Sequence, residues 1–402
     1  MYRLRKYFFV CACVLVAVSS STQASTTVAA VLTPPDKPWI DITEMPYRCV
    51  GDGKTINTNC FSLAAEAACK AGGNAIFIPT GRFLFAGTGP ELIKIPCGLD
   101  VFGSGWGSII QVAKDVGKNT DVIHLVGDSE IRGCELKDLQ IIPQSGAPAR
   151  YGINFDAANK YPISYCKIDH IRVGTFGDYA IASTNAAVST GSPFTTTVTD
   201  SQINGGISLR NAGDSIRITQ NTITGPRSIV LDQIGCGTTD NGAHLMYLGD
   251  NNITADGGIQ VMNGTTIRII RNNIEQPRPS TEPNRSLIDL DGRAECPIVN
   301  AVVEENYLGA TTGHVPLATI RVNYADGTII SRNYSIRSGG ASKTYLITAH
   351  AKNTMILQDR PVPSGEKPPT FLSDSGADSF IEYYDGFGLH HIGREASPAP
   401  HQ

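Results

Sequence analysis

One period governs the middle of this 402-residue chain. A small residue, an Ile, a variable residue and another apolar residue recur as Gly152-Ile153-Asn154-Phe155, Gly206-Ile207-Ser208-Leu209, Ser228-Ile229-Val230-Leu231 and Gly258-Ile259-Gln260-Val261. Looser copies are Ala180-Ile181-Ala182, Ile288-Asp289-Leu290, Ile320-Arg321-Val322 and Ile347-Thr348-Ala349, and the Ile-to-Ile steps are 28, 26, 22, 30, 29, 32 and 27 residues. A second motif lies between these copies: Asn221-Thr222-Ile223, Asn251-Asn252-Ile253, Asn272-Asn273-Ile274, Asn306-Tyr307-Leu308 and Asn333-Tyr334-Ser335. Each period therefore holds two or three short alternating strands bounded by turn residues. A propeller blade needs about 40 residues, and Leu is too sparse for a leucine-rich repeat. What remains is a solenoid of stacked coils, a parallel β-helix, in which each coil buries its apolar face only against its neighbours. The recurring Asn predicts an internal ladder of side-chain amides along the axis.

Composition agrees. With 41 Gly, 23 Pro and 17% charged residues, the chain is neither a coiled coil nor a charge-rich disordered polymer. A formal net charge of −4 is not that of a nucleic-acid binder, which needs many phosphate contacts. Arg3, Arg5 and Lys6, the apolar run from Tyr7 to Val18 and the small residues up to Ala24 read as a secretory signal peptide over residues 1–24. No later stretch approaches the ~20 apolar residues of a membrane helix. The expectation is a secreted or periplasmic protein, off the membrane once the signal is removed, with a mature charge near −7 (−4 minus 3).

Eight cysteines remain outside the signal: Cys49, Cys60, Cys69, Cys97, Cys134, Cys166, Cys236 and Cys296. An even number in an exported chain reads as disulfides. Pairs close in sequence are favoured, such as Cys49 with Cys60 and Cys134 with Cys166. Without a Cys-x-x-Cys there is no zinc motif, and no metal ligands are assigned. Residues 25–46 read as a Pro-rich lead-in, 47–360 as the β-helix, and 361–402 as a C-terminal cap and tail. Phe61 to Lys70 reads as a short amphipathic helix stopped by Gly72 and Gly73, fit to cap the open end of the solenoid.

Gly51-Asp52-Gly53-Lys54-Thr55, the Ala64-Ala65 and Ala67-Ala68 helix, Ile76-Phe77-Ile78-Pro79-Thr80-Gly81-Arg82-Phe83, Val101-Phe102-Gly103-Ser104-Gly105 and Cys134-Glu135-Leu136-Lys137-Asp138-Leu139 form a series. It resembles the N-terminal part of the pectate-lyase superfamily, which includes rhamnogalacturonase-like and epimerase-like proteins and phage tailspikes. The resemblance spans roughly residues 47 to 350. It implies an all-β, right-handed, single-stranded parallel β-helix and a carbohydrate ligand. Thr55-Ile56-Asn57-Thr58 departs from the Thr-Asp-Asp-Thr frequent in that group. The Asp-Asp and Gly-His-Gly motifs of polygalacturonases and the Asp-Pro-His-Asp motif of alginate epimerases are absent, so the resemblance specifies fold better than activity. Tailspike relatives are commonly trimers; the residues here leave the oligomeric state open.

Stacking and alternation place candidate chemistry. Equivalent residues of successive coils lie about 4.8 Å apart, and the residue between two inward ones points out. One outward column is Asn154, Ala182, Ser208, Val230, Gln260, Asp289, Arg321 and Thr348; a second is Asp156, Thr184, Arg210, Asp232, Met262, Asp291, Asn323 and His350. Asp289 and Asp291 share a face about 6.5–7 Å apart, and Asp232 lies about 9.6 Å from Asp291. Inverting glycosidases need two carboxyls about 6.5–9.5 Å apart. Asp289, Asp291 and Asp232 are therefore the catalytic candidates, one as acid and one as base. Arg210, Arg293 and Arg321 are candidates for holding an acidic sugar's carboxylate, and His244, in a long turn, for reaching the groove. The expected activity is hydrolysis of an acidic, pectin-like or exopolysaccharide substrate without a cofactor. The alternatives are β-elimination, with Arg321 as base and Ca²⁺ held by oxygen ligands, and a non-catalytic carbohydrate-binding or structural β-helix.

Overall fold

A computed structural model describes residues 38–73, 75–157, 161–184, 192–210, 212–232, 245–276, 285–310, 317–337, 343–362, 372–384 and 389–393. The signal segment, Cys236 and His244 lie outside the described residues.

The period becomes coils of three strands on three faces, each strand pairing in parallel with its counterpart one coil on. In one coil, Ile216–Thr219 lies on the first face, Thr222–Gly225 on the second and Ile229–Asp232 on the third; Met246–Gly249 then returns to the first. Eleven strands stack on the third face, from Glu91–Ile95 to Leu372–Asp374. The repeat's isoleucines form its inner column: Ile153, Ile181, Ile207, Ile229, Ile259, Ile288 and Ile320 pair in register and are buried. Alternation thus sends one apolar column into a continuous core along the axis and leaves its neighbour outside.

The corner between the first and second faces is a two-residue device. Gln220, Asp250, Arg271, Glu305 and Arg332 adopt left-handed φ values between 54° and 59°. The next residue of each, Asn221, Asn251, Asn272, Asn306 and Asn333, points inward and is at most 2% exposed. Their amides form the expected ladder, each Nδ2 donating to the next Oδ1 at 3.1, 2.9, 3.0 and 2.9 Å. The same oxygens accept the preceding rung's backbone N–H, so buried polar groups of a tight turn are satisfied without water. The ladder ends on the carboxylate of Asp359, which also accepts from Tyr345 Oη at 2.8 Å.

The helix spans Thr58–Lys70, three residues longer at its start than the apolar pattern indicated. It buries Phe61, Ala64, Ala65 and Ala68, an i, i+3, i+4, i+7 stripe. Phe61 meets Phe85 edge-on at 5.8 Å. Disulfides Cys49–Cys60 and Cys69–Cys97 fasten its two ends, and Cys134–Cys166 joins adjacent coils. The two pairs favoured from sequence are thus present, and Cys296 is disulfide-bonded as well. A Cβ on Gly73, whose φ is +93°, would sit 2.7 Å from the Gly98 carbonyl, so the helix ends at a position only glycine fits easily. Among the described residues no helix is long and apolar enough to cross a membrane.

Near the C-terminus the stack runs past residue 360: Met355–Val362 pairs in parallel with Phe380–Tyr384, which pairs antiparallel with Leu389–Gly393. One alignment needs correction. Ile320 pairs with Tyr345, not Ile347, so Leu346 rather than Thr348 follows Arg321 in the outward column. Tyr345 takes the inner place, where its hydroxyl can close the ladder on Asp359.

Candidate functional site

The outer side of the third face carries the predicted columns. Asn154, Ala182, Ser208, Val230, Gln260, Asp289 and Arg321 are successive register partners. Arg210 pairs with Asp232 and Asp291 with Asn323.

Asp289, Asp291 and Arg321 form one cluster. Arg321 Nε lies 2.8 Å from Asp289 Oδ1, and its terminal nitrogen reaches Asp291 Oδ1. The first is a close contact without a directed hydrogen bond, because neither Asp289 Oδ1 nor Arg321 Nε has a partner in hydrogen-bonding geometry. Asn323 donates to Asp291 Oδ1 at 2.8 Å and Thr348 to Asn323 Oδ1 at 2.6 Å, which fixes the Asp291 carboxylate. Expected as a surface residue, Asp289 is only 1% exposed: it points outward by alternation but lies beneath Arg321. Burial pushes its carboxyl up to about 7, opposed by Arg321 and assisted by the Asp291 charge. Asp289 thus holds a proton near neutrality that an ordinary aspartate has lost.

Asp232 does not pair with its register neighbour Arg210. Arg293, two residues beyond Asp291, reaches back and places one terminal nitrogen 3.0 and 3.2 Å from the two Asp232 oxygens. Asn263 donates to the same carboxylate at 3.4 Å. Arg293 therefore ties Asp232 to the strand of Asp289 and Asp291.

Arg210 instead faces a cavity of about 550 Å³ on the same side of the sheet, with Tyr151, Tyr179, Thr184, Arg227 and Arg285 around it. Arg227 stacks over Tyr179, 5.0 Å from the ring centre, and pairs with Asp178 at 3.3 Å. No carboxylate among the described residues forms an ion pair with Arg210. Three guanidinium groups, two phenols and several hydroxyls suit a polar anion bearing many hydroxyl groups.

Toward the N-terminus the face joins Asn154 and Asp156 of the predicted columns to Glu91, Asp121, His124 and Arg150, which the repeat pattern did not single out. His124 Nε2 is 2.8 Å from Asp156 and Nδ1 3.4 Å from Glu91. Both ring nitrogens meet carboxylates, which favours the doubly protonated ring. Burial works against that charge, but Asp156, Asp121 and Glu91 together raise the imidazole above its usual value. Asp121 is held by Arg150 at 2.9 and 2.8 Å and by Asn154 at 2.7 Å. The signal was available: Ile123-His124-Leu125 repeats the pattern 30 residues before Ile153. Arg227 and Arg285 gave none, since they stand outside the repeated strand motif. Among the described residues no group of three His, Cys, Asp or Glu side chains is arranged to hold a metal ion.

No protein-family model matches the chain, and no curated protein sequence matches it. Solved structures do. It is similar to DFA-IIIase from Arthrobacter chlorophenolicus A6, with 12% identity, 85% of this chain and 98% of that one covered, and a TM-score of 0.54. A mutant of that enzyme in complex with DFA-III gives 13% identity, the same coverage and 0.54. The A-module of the Azotobacter vinelandii mannuronan C-5 epimerase AlgE6 gives 11% identity, 85% and 97% coverage, and 0.53. These are right-handed parallel β-helix proteins of the pectate-lyase-like superfamily, and at such identities the likeness establishes the shared fold.

Proposed function

We propose that this chain is an exported enzyme that hydrolyses an acidic polysaccharide lying along the outer side of the third face. The carrying observation is that one face combines a cavity edged by Arg210, Arg227 and Arg285 with the carboxyls of Asp232, Asp289 and Asp291. The disulfides suit an oxidising compartment. The shared fold with a mannuronan C-5 epimerase and with an enzyme crystallised with DFA-III lends support to a carbohydrate substrate.

In this reading Asp289 is the general acid, since burial keeps its proton near neutral pH. A carboxylate on the substrate draws Arg321 away from the two aspartates and uncovers it. Asp291, more exposed and held by Asn323, is the base that activates water. Asp232, clamped by Arg293, lies two coils away, about 9.6 Å, and is the other carboxyl near the inverting distance. β-Elimination with Arg321 as base is less well supported, because its guanidinium is already engaged by Asp289 and Asp291.

The experiment is digestion of a panel of acidic and neutral polysaccharides, with and without Ca²⁺, following new reducing ends and the ultraviolet absorbance of unsaturated ends together. Hydrolysis gives reducing ends without absorbance. Absorbance would replace the hydrolytic scheme with elimination. Retained glycan binding without either product would make the chain a binding protein. Arg210→Ala is expected to raise KM for an acidic substrate about tenfold with little change in kcat.

A further inference from the structure

The doublets Asn221-Thr222, Asn251-Asn252, Asn272-Asn273, Asn306-Tyr307 and Asn333-Tyr334 encode two ladders. The first residue of each builds the internal amide ladder. The second starts a strand of the second face and points outward: Gln202, Thr222, Asn252, Asn273, Tyr307 and Tyr334 are successive register partners, over about 24 Å. The residues after them, Ile203, Ile223, Ile253, Ile274 and Leu308, are fully buried, so the outward direction is fixed. The core requires the first ladder; nothing in the core requires the second.

We infer that this strip of the second face binds an uncharged polysaccharide chain, at a site separate from the groove of the third face. Its outer column carries no formal charge from Gln202 to Tyr334. The parallel column of Asn204, Thr224, Thr254 and Gly309 adds one charge, Glu275. A neutral strip on a chain of net charge −4 matches a neutral ligand rather than an ionic one. The uncharged stretch, flanked in register by Arg172 and Arg360, carries at one end two stacked phenols, 5.7 Å apart and 26° from parallel, which are 37% and 41% exposed. A sugar ring presents an apolar C–H face and a rim of hydroxyls. Exposed aromatic rings take the first; amides and hydroxyls, which both donate and accept, take the second. The polar groups are preset: Thr224 donates to Asn204 at 2.5 Å and Asn273 to Asn252 at 3.3 Å. Asn273 Oδ1, beside the tyrosines, is buried and has no hydrogen-bond partner among the described residues.

A cross-strand Tyr pair also stabilises a sheet without any ligand, so the test reads binding and stability separately. Affinity electrophoresis of the mature chain through gels containing hydroxyethyl cellulose or galactomannan should show retardation by at least one of these uncharged polymers. Tyr307→Ala with Tyr334→Ala should weaken it at least about tenfold, with an unchanged circular-dichroism spectrum, whereas Arg210→Ala should leave it intact. If the tyrosine variant fails to fold, Asn252→Ala with Asn273→Ala carries the same expectation. Free migration of the wild type in both polymers, or retardation that survives these variants, would overturn the inference. So would retardation lost in Arg210→Ala alone, which would place binding in the groove, or a wild-type dimer dissolved by the tyrosine variant, which would make the occupant a second copy.

Discussion

Asp359 closes the amide ladder, and replacing it with asparagine tests how the solenoid tolerates a buried charge there. Its carboxylate is fully buried, accepts the Asn333 backbone N–H at 2.7 Å, and faces Tyr345 Oη at 2.8 Å. Burial pushes it up to about 6, from an ordinary 3.8, against the pull of those hydrogen bonds. A folded-state pKa above the unfolded one means that the native state binds the proton more tightly. The associated stability is present while both states are protonated and is lost as pH rises through the folded value. A gap of about 2 pH units at ~1.4 kcal/mol each gives about 3 kcal/mol, lost between about pH 3 and pH 7. Asp359→Asn cannot lose it: its oxygen still accepts from Asn333, and its amide can donate to the Tyr345 oxygen. Chemical denaturation of both proteins, disulfides intact, gives the comparison. The variant should gain about 3 kcal/mol on the wild type between those pH values, while titration of Asp289 cancels because both proteins share it. A stability difference that stays constant with pH would refute the reasoning, since Asp359 would then titrate as an ordinary carboxylate.

Three further outcomes are expected. Asp291→Asn should abolish turnover of the polysaccharide while the circular-dichroism spectrum stays unchanged; full activity in that variant would remove the aspartate cluster from the reaction. If Asp289 is the acid, activity falls as pH rises through about 7. Arg321→Gln should move that fall to higher pH, because the guanidinium holds the Asp289 value down, and an unmoved profile would clear Asp289 of the role. Asn272→Ala orphans the Asn251 N–H and removes the side-chain donor to the Leu248 carbonyl and the Asn306 oxygen, which keeps only the backbone N–H of residue 272; it should cost about 2–4 kcal/mol by denaturation. A loss below about 1 kcal/mol would mean that the ladder carries little of the stability.

How far the sequence reaches depends on the range of the forces involved. Strand alternation and coil stacking are set by residues a few positions apart and repeat, so the isoleucine core, the asparagine ladder and the register of Asp289 with Arg321 could be read from spacing alone. Cys49–Cys60 and Cys134–Cys166 followed from closeness in sequence, the first at the start of the helix and the second across adjacent coils. The slip at Tyr345 shows where this stops: one buried hydroxyl seeking Asp359 outweighed the match of Ile347 to the motif.

The site obeyed other rules. A strand's pleat states which way a side chain points but not what covers it, so the burial of Asp289 under Arg321, and the proton that burial retains, appear only in the folded molecule. Long side chains cross between coils: Arg293 rather than the register neighbour Arg210 neutralises Asp232, leaving Arg210 to face the cavity. That cavity depends on Arg227 and Arg285, which stand outside the repeated motif and whose positions no period predicts. The sequence by itself determined the solenoid, its ladder and the face on which chemistry could gather. Tertiary structure decided which charges meet there, because burial and side-chain reach depend on residues that periodicity does not connect.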